Sequence, residues 1–327
     1  MRPFEYVRAR SVNEARTLVS DAPAGNYIAG GTDILNLLKD GMESADRLVD
    51  ISQLPISEIK QRAGRLEVGA LARMSDVAAN TMVRRSAPVV SQALEASASP
   101  QIRHMATIGG NLLQRTRCWY FRDPGSPCNK RDPGSGCSAI EGENRMHAVL
   151  GGSSQCIAVQ PSDLAVALLA VDASVVVTGK DGRRVVPIED FYLLPGNTPN
   201  RETVMRSGDL ITSVEIPADR LAARSSYLKL RERASFEFAT VSVAVALQMN
   251  GDRVQAVRLA FGGVGTRPWR SRSAERELIG QRLTRASCAA AGRELVRGAV
   301  PREHNAFKVE LVQRALTDAL LNLGGRP

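Results

Sequence analysis

No apolar run in this 327-residue sequence approaches the ~18 residues needed to span a bilayer. The longest, Leu164 to Val177, is interrupted by Asp172 and rich in β-branched residues, so it reads as a buried helix and strand. Met1 to Arg10 carries charges but no apolar stretch, so no signal peptide is expected on this chain. The pair Arg84-Arg85 is internal and is no twin-arginine leader. Two nucleotide-binding fingerprints are missing, G-x-G-x-x-G after a strand and G-x-x-x-x-G-K-[ST]. Their absence argues against a nicotinamide-binding Rossmann domain and a P-loop NTPase. Internal repeats and low-complexity linkers are absent as well.

What is present is ordinary globular material, 43% apolar and 24% charged, enough chain for two or three domains. Lysine plus arginine exceed aspartate plus glutamate by 43 to 34, a balance of +9. The arginines are spread along the chain without a recognition helix, zinc finger or ribonucleoprotein signature. The excess therefore reads as solvated surface or a face for an acidic protein partner, and not as a nucleic-acid site.

The pattern predicts an α/β start: a helix from Ser11 with Glu14 at capping-box spacing, a strand over Asn26–Ala29, a helix over Ile34–Lys39 and a strand over Leu48–Ile51. A second α/β region runs to about Pro217. It has strands at Leu66–Gly69, Ala173–Val177, Arg184–Val186 and Asp209–Ile216. Its helices start at Ser75 and Ser162, with a long one over Val83–Ala98 that Pro100 stops. The last third reads as strands Tyr227–Arg231, Val241–Met249 and Val254–Phe261, with a turn at Asn250-Gly251. Helices follow from about Ala274, Ser287 and Asn305, so this third is α+β in type.

Two glycine pairs follow strand-like segments. Asn26-Tyr27-Ile28-Ala29-Gly30-Gly31-Thr32-Asp33 links a strand to a helix, and Thr107-Ile108-Gly109-Gly110-Asn111 repeats the design. Each is read as a loop whose consecutive N–H groups suit a pyrophosphate at the positive end of the following helix. One double glycine is more often a plain turn; two in one chain favour a large phosphate-bearing cofactor.

Four of the five cysteines, Cys118, Cys128, Cys137 and Cys156, fall within a glycine- and proline-rich stretch from Leu112 to Ser162 that shows no helical or strand period. So long a loop needs an internal organiser. The thiols could form disulfides, hold a zinc ion or carry an iron–sulfur cluster. Disulfides need an oxidising compartment, and zinc usually uses C-x₂₋₄-C knuckles that are missing here. The spacing leaves all three open. Cys288, among alanines, reads as a small core residue on a helix.

The order of Ala29-Gly30-Gly31-Thr32-Asp33, Thr107-Ile108-Gly109-Gly110-Asn111, Pro161-Ser162-Asp163-Leu164-Ala165 and Tyr227-Leu228-Lys229 resembles the FAD-binding medium subunit of the xanthine oxidase family of molybdenum hydroxylases. The resemblance implies an α+β chain with a two-lobed FAD-binding fold of vanillyl-alcohol-oxidase type. A C-terminal α/β domain of the CO dehydrogenase flavoprotein type would follow. The implied division is 1–55 and 56–222 for the two lobes, with an iron–sulfur insertion at 112–160, then 223–327. It places FAD against Asn26 to Asp33 and Thr107, Gly109, Gly110 and Asn111, with Asp163 and Lys229 as further contacts. The plain readings of the last two are a helix N-terminal acid and a solvated strand lysine.

Cys118-Trp119-Tyr120-Phe121-Arg122-Asp123-Pro124, Cys128-Asn129-Lys130-Arg131 and Pro133-Gly134-Ser135-Gly136-Cys137 look like the bacterial aldehyde oxidoreductase type, ahead of the 4-hydroxybenzoyl-CoA reductase type. That resemblance implies a [4Fe–4S] cluster on Cys118, Cys128, Cys137 and Cys156. Arg115, Arg117, Arg122, Lys130 and Arg131 would offset its charge, and Trp119, Tyr120 and Phe121 would shield it. It further implies a small partner with two [2Fe–2S] clusters, a large partner with a molybdopterin cofactor, and an external acceptor such as ferredoxin, quinone or oxygen. No residue of this chain would act as acid or base on the aldehyde. The compartment would be the periplasm, by co-export with a twin-arginine-bearing partner, or the cytoplasm. A stand-alone flavin oxidase and a zinc- or nucleic-acid-binding regulator are the competing classes.

Overall fold

The computed structural model describes residues 1–325; the last two residues of the expected 223–327 unit lie outside the described residues. Three sheets organise the chain. The first is parallel, order β1-β3-β2, from β1 (Glu5–Arg8), β2 (Gly25–Ile28) and β3 (Arg47–Asp50). The second is antiparallel, order β4-β5-β8-β6-β7, from β4 (Ile59–Arg62), β5 (Arg65–Gly69), β6 (Ser174–Gly179), β7 (Gly182–Pro187) and β8 (Leu210–Pro217). The third is antiparallel, order β11-β10-β9, from β9 (Ser225–Leu230), β10 (Val241–Asn250) and β11 (Arg253–Gly262).

Each sheet buries one apolar set. The first packs on the amphipathic helix Val12–Ser20, through Ala15 and Val19. Ser11 caps that helix by accepting from the Glu14 N–H, while the Glu14 carboxylate reaches back to the Arg10 N–H. The third sheet is backed by the helices Arg272–Leu278, Arg285–Leu295 and Phe307–Gly324, and Cys288 lies fully buried on the middle one. Between the second and third sheets runs the helix Asp163–Ala170. All eight of its residues are buried, as expected of a helix apolar on every face.

The structure departs from the sequence expectations at three kinds of place. The long helix over Val83–Ala98 is two helices, Thr81–Ser86 and Pro88–Ala96, because Pro88 has no N–H to continue the ladder and starts a new helix at its first position. Pro100 likewise opens the helix Pro100–Met105, capped by Ser99, instead of ending its predecessor. Strands β1 and β4 were not anticipated; both are four residues long with no buried side chain, and carry little alternation.

Candidate functional site

The two glycine motifs meet across one cavity of about 560 Å³ between the first lobe, the second sheet and β9. All the residues expected to meet FAD line it except Ile28, whose side chain points to the opposite face of β2 and packs with Leu38, Ala45 and Leu48. Tyr27 and Ile28, neighbours on a strand, face opposite sides of it. Tyr27 donates its hydroxyl to the Gly208 carbonyl at 3.0 Å, and burial pushes its pKa up.

The first motif fits a phosphate-bearing ligand. Among the described residues, no backbone hydrogen bond occupies the N–H groups of Gly30, Gly31, Thr32 or Asp33. Gly31 has φ +71°, a left-handed conformation glycine adopts freely. Gly30 is required by close approach: a Cβ there would meet the Met105 carbonyl oxygen at 1.9 Å. The Asp33 carboxylate makes no capping bond to the helix it precedes. It turns to the cysteine insertion, accepting from Arg117 (2.8 Å), Arg122 (3.2 Å) and the Arg115 N–H (2.8 Å).

The second motif is the first turn of a short helix, Ile108–Leu112, where a loop was expected. Thr107 caps it by accepting from the Gly110 N–H, and Gly109 lies tight against Ala70. Asn111 accepts from the Ser162 hydroxyl at 2.6 Å, and Ser162 in turn caps the helix that begins with Asp163. One hydroxyl thus joins two sequence motifs 51 residues apart.

Asp163 and Lys229 form a buried pair at the cavity wall. The Lys229 ammonium donates to Asp163 Oδ2 at 2.8 Å and to the Ala96 carbonyl at 3.1 Å; their side chains are only 3% and 6% exposed. Asp163 Oδ2 also accepts from Ser97 (3.0 Å), and Oδ1 accepts from Tyr227 (2.5 Å). The plain reading of Lys229 as a solvated strand residue is therefore corrected. Burial and the Asp163 charge push the Tyr227 pKa well up, so the phenol stays a donor. Ser97 and Tyr227 were not singled out as site residues, because nothing in their spacing reveals that they converge on one carboxylate. Beside Ser97, Ala98 lies in the left-handed region at φ +49° and also lines the cavity.

A second cavity of about 400 Å³ lies between the insertion and the third sheet. Arg117, Pro161, Asp163, Glu237 and Phe238 line both cavities.

The four insertion cysteines ring a third, much smaller space of about 10 Å³. All of them are free thiols, and Cys128 and Cys137 face each other across an isolated antiparallel bridge. The Ala158 N–H donates to the Cys156 sulfur at 3.4 Å, and the N–H groups of Tyr120 and Phe121 near Cys118 and of Ala139, Ile140 and Ile157 near Cys137 favour the thiolates. Burial pushes the thiols up, Cys118 to about 12 and Cys156 to about 11. Thiolates there need a cation. Among the described residues, no three His, Cys, Asp or Glu side chains close onto a single ion. A tetrahedral zinc with bonds of about 2.3 Å would draw its sulfurs within about 4 Å of one another. The arrangement is a ring of four thiol donors around a shared space.

The aromatic trio does not shield as a unit. Phe121 is buried against Cys118 and Cys128, but Trp119 is 68% exposed. The nearby cations are largely paired within the protein: Arg115 with Glu43 and with Glu202 (2.6 Å), Lys130 with Glu202 (2.9 Å), and Arg117 and Arg122 with Asp33. Arg131 is spent on the carbonyls of Tyr120, Phe121 and Ser126.

Residues 2–219 match the family described as FAD binding domain in molybdopterin dehydrogenase, and residues 226–323 the CO dehydrogenase flavoprotein C-terminal domain. The chain belongs to the FAD-binding medium subunits of the xanthine oxidase family of molybdenum hydroxylases, and is thus an oxidoreductase subunit. It is 43% identical over 322 residues, 98% of each chain, to the aldehyde oxidoreductase FAD-binding subunit PaoB of Escherichia coli K12. It is 27% identical to the glyceraldehyde dehydrogenase medium chain of Sulfolobus acidocaldarius, covering 86% of this chain and 82% of that one. Its fold resembles a chain of the carbon monoxide dehydrogenase of Hydrogenophaga pseudoflava, with TM-score 0.76, 24% identity, and 99% and 98% of the two chains covered. It also resembles a chain of quinoline 2-oxidoreductase of Pseudomonas putida 86, with TM-score 0.77, 23% identity, and 99% and 97% covered. Among the described residues, no helix is long and apolar enough to cross a membrane.

Proposed function

We propose that this chain is the FAD- and [4Fe–4S]-carrying electron-transfer subunit of a heterotrimeric molybdenum aldehyde oxidoreductase. The observation that carries the reading is the ring of Cys118, Cys128, Cys137 and Cys156 around one space, with the Ala158 N–H donating to Cys156 and Cys118 also lining the second cavity. The 43% identity to an aldehyde oxidoreductase subunit supports the substrate class. A small subunit with [2Fe–2S] clusters supplies electrons from aldehyde oxidation on a large molybdopterin subunit; ferredoxin, quinone or oxygen receives them. When bound, FAD exchanges electrons singly or in pairs and the cluster exchanges one at a time.

The chain's own residues bind and tune. The N–H groups of Gly30 to Asp33 hold the pyrophosphate, Thr107 to Asn111 border the remainder of FAD, and the Asp163–Lys229 pair fixes polarity at the wall. The four cysteines would ligate the cluster. The division follows as 1–55 and 56–222 for the FAD lobes, with the insertion at 112–160, and 223 onward for the third.

The purified complex tests this. Flavin absorbance with a broad iron–sulfur shoulder is expected, with about four irons on this subunit and one FAD. Cys128→Ser should lose those irons and keep FAD. One zinc and no flavin would sink the proposal, and unchanged iron in Cys128→Ser would remove Cys128 from the ligand set.

A further inference from the structure

Among the described residues, His147 is the one side chain that hydrogen-bonds the sulfur of an insertion cysteine, and no sequence signal marks it. Its Nε2 lies 3.1 Å from Cys118 Sγ, and the residue is 6% exposed. Its other nitrogen, Nδ1, is buried with no hydrogen-bond partner among the described residues. The ring is fixed from behind. Its backbone N–H donates to the Asn144 carbonyl at 2.8 Å. Its own carbonyl accepts from Lys308 (3.1 Å) and Asn305 (3.4 Å) at the start of the C-terminal helix. The Tyr120 ring flanks it at 6.3 Å between centroids.

The tautomer follows from donors and acceptors. A cluster-bound thiolate is an acceptor only. A proton on Nδ1 would orphan a buried donor and set two acceptors, Nε2 and Sγ, against each other. A proton on Nε2 resolves both. On the reading that Cys118 ligates a [4Fe–4S] cluster, we infer that His147 is a tuning residue that donates its Nε2–H to the Cys118 sulfur and raises the cluster's reduction potential. The added electron of the reduced cluster is shared onto the sulfurs, so a donor there binds the reduced form more strongly than the oxidised one. The Tyr120 and Phe121 N–H groups act in the same sense on the same sulfur. His147 differs from them in being removable by substitution without disturbing the backbone.

The test is an EPR-monitored redox titration of the purified complex, wild type against His147→Phe and His147→Gln, with iron and FAD counted in each. The expected result is full iron and FAD in both variants and a more negative cluster potential in H147F. In H147Q, whose amide N–H reaches to a similar depth, the potential should return toward wild type. If H147F fails to accumulate, His147→Asn replaces it, because its amide overlays Nδ1 and cannot reach Sγ; the same negative shift is expected. An unmoved potential with iron retained overturns the inference and leaves the cluster reading standing. Loss of the [4Fe–4S] iron from every variant also overturns it, because His147 would then be needed to hold the cluster. Absence of that iron from the wild-type complex would overturn the cluster reading itself.

Discussion

Arg117 donates to Asp33 at 2.8 Å, and this contact joins the first glycine motif to the cysteine insertion. Arg117 is half-buried, and burial pulls its pKa down while Asp33 holds it up. Asp33 takes Arg122 and the Arg115 N–H as well, so one carboxylate anchors the start of the insertion. Asp33→Asn keeps the shape and removes the charge. Losing charge-assisted hydrogen bonds of this kind costs about 1–3 kcal/mol. FAD and iron should fall together in the purified variant, in contrast with Cys128→Ser, where iron alone falls. Separate loss of one cofactor would show that Asp33 does not couple them.

Lys229→Met removes the cation from a buried pair and leaves Asp163 charged with two neutral donors, Ser97 and Tyr227. Breaking such a pair costs about 3–5 kcal/mol. Tyr227→Phe removes one donor only and should cost about 1–3 kcal/mol. Thermal melts should rank the two in that order, and the double variant should be less destabilised than the sum, because both act on one carboxylate.

Gly30→Ala must push its Cβ into the Met105 backbone, which cannot rotate away. Gly110→Ala meets only the Thr107 hydroxyl, at 3.1 Å. Flavin content per chain should collapse in the first and persist in the second. Equal FAD loss in both would mean that the second motif is as tightly constrained as the first.

Lys308 is buried with only carbonyls as partners, those of His147 and Gly263 at 3.1 and 2.8 Å. Burial pulls its pKa down to about 7; Arg145 acts in the same direction and Glu232 against it. Between about 7 and the ordinary lysine value the unfolded chain binds more protons than the folded one, so this group makes stability rise with pH across that window. Below about 7 both states are protonated and the penalty is constant. Denaturant titrations at pH 7 and 8.5 should give a more positive change of stability with pH in the wild type than in Lys308→Met; the cysteine thiols, held up by burial, lower stability over the same window equally in both. An unchanged slope in the variant would exclude a contribution from Lys308.

Much of the fold was legible because its signals are local. Ser11 and Ser162 cap where their spacing says, Ile34–Lys39 is a helix, and the Asn250-Gly251 turn joins two strands. Pro88 and Pro100 misled because a proline at a first helical position looks, in sequence, like a stop. At the site, motifs located the cavity residues, but not Ile28's outward direction or Lys229's burial. Strand facing and burial are set by which sheet a strand joins. His147, Ser97 and Tyr227 were invisible for the same reason: each is defined by a partner far away in the chain.

The insertion has one four-residue helix of its own and is tied to segments far apart in the chain. Arg115, Arg117 and Arg122 hold it to Glu43 and Asp33 in the first lobe, and Lys130 holds it to Glu202. Arg145 holds it to Glu232, and the Asn144 side chain accepts from the His304 N–H beside the C-terminal helix. A segment with so little ladder of its own acts as a keystone. A nick within 112–160 is therefore expected to lower the temperature of the calorimetric transition, while the buried helix Asp163–Ala170 still joins the second and third sheets.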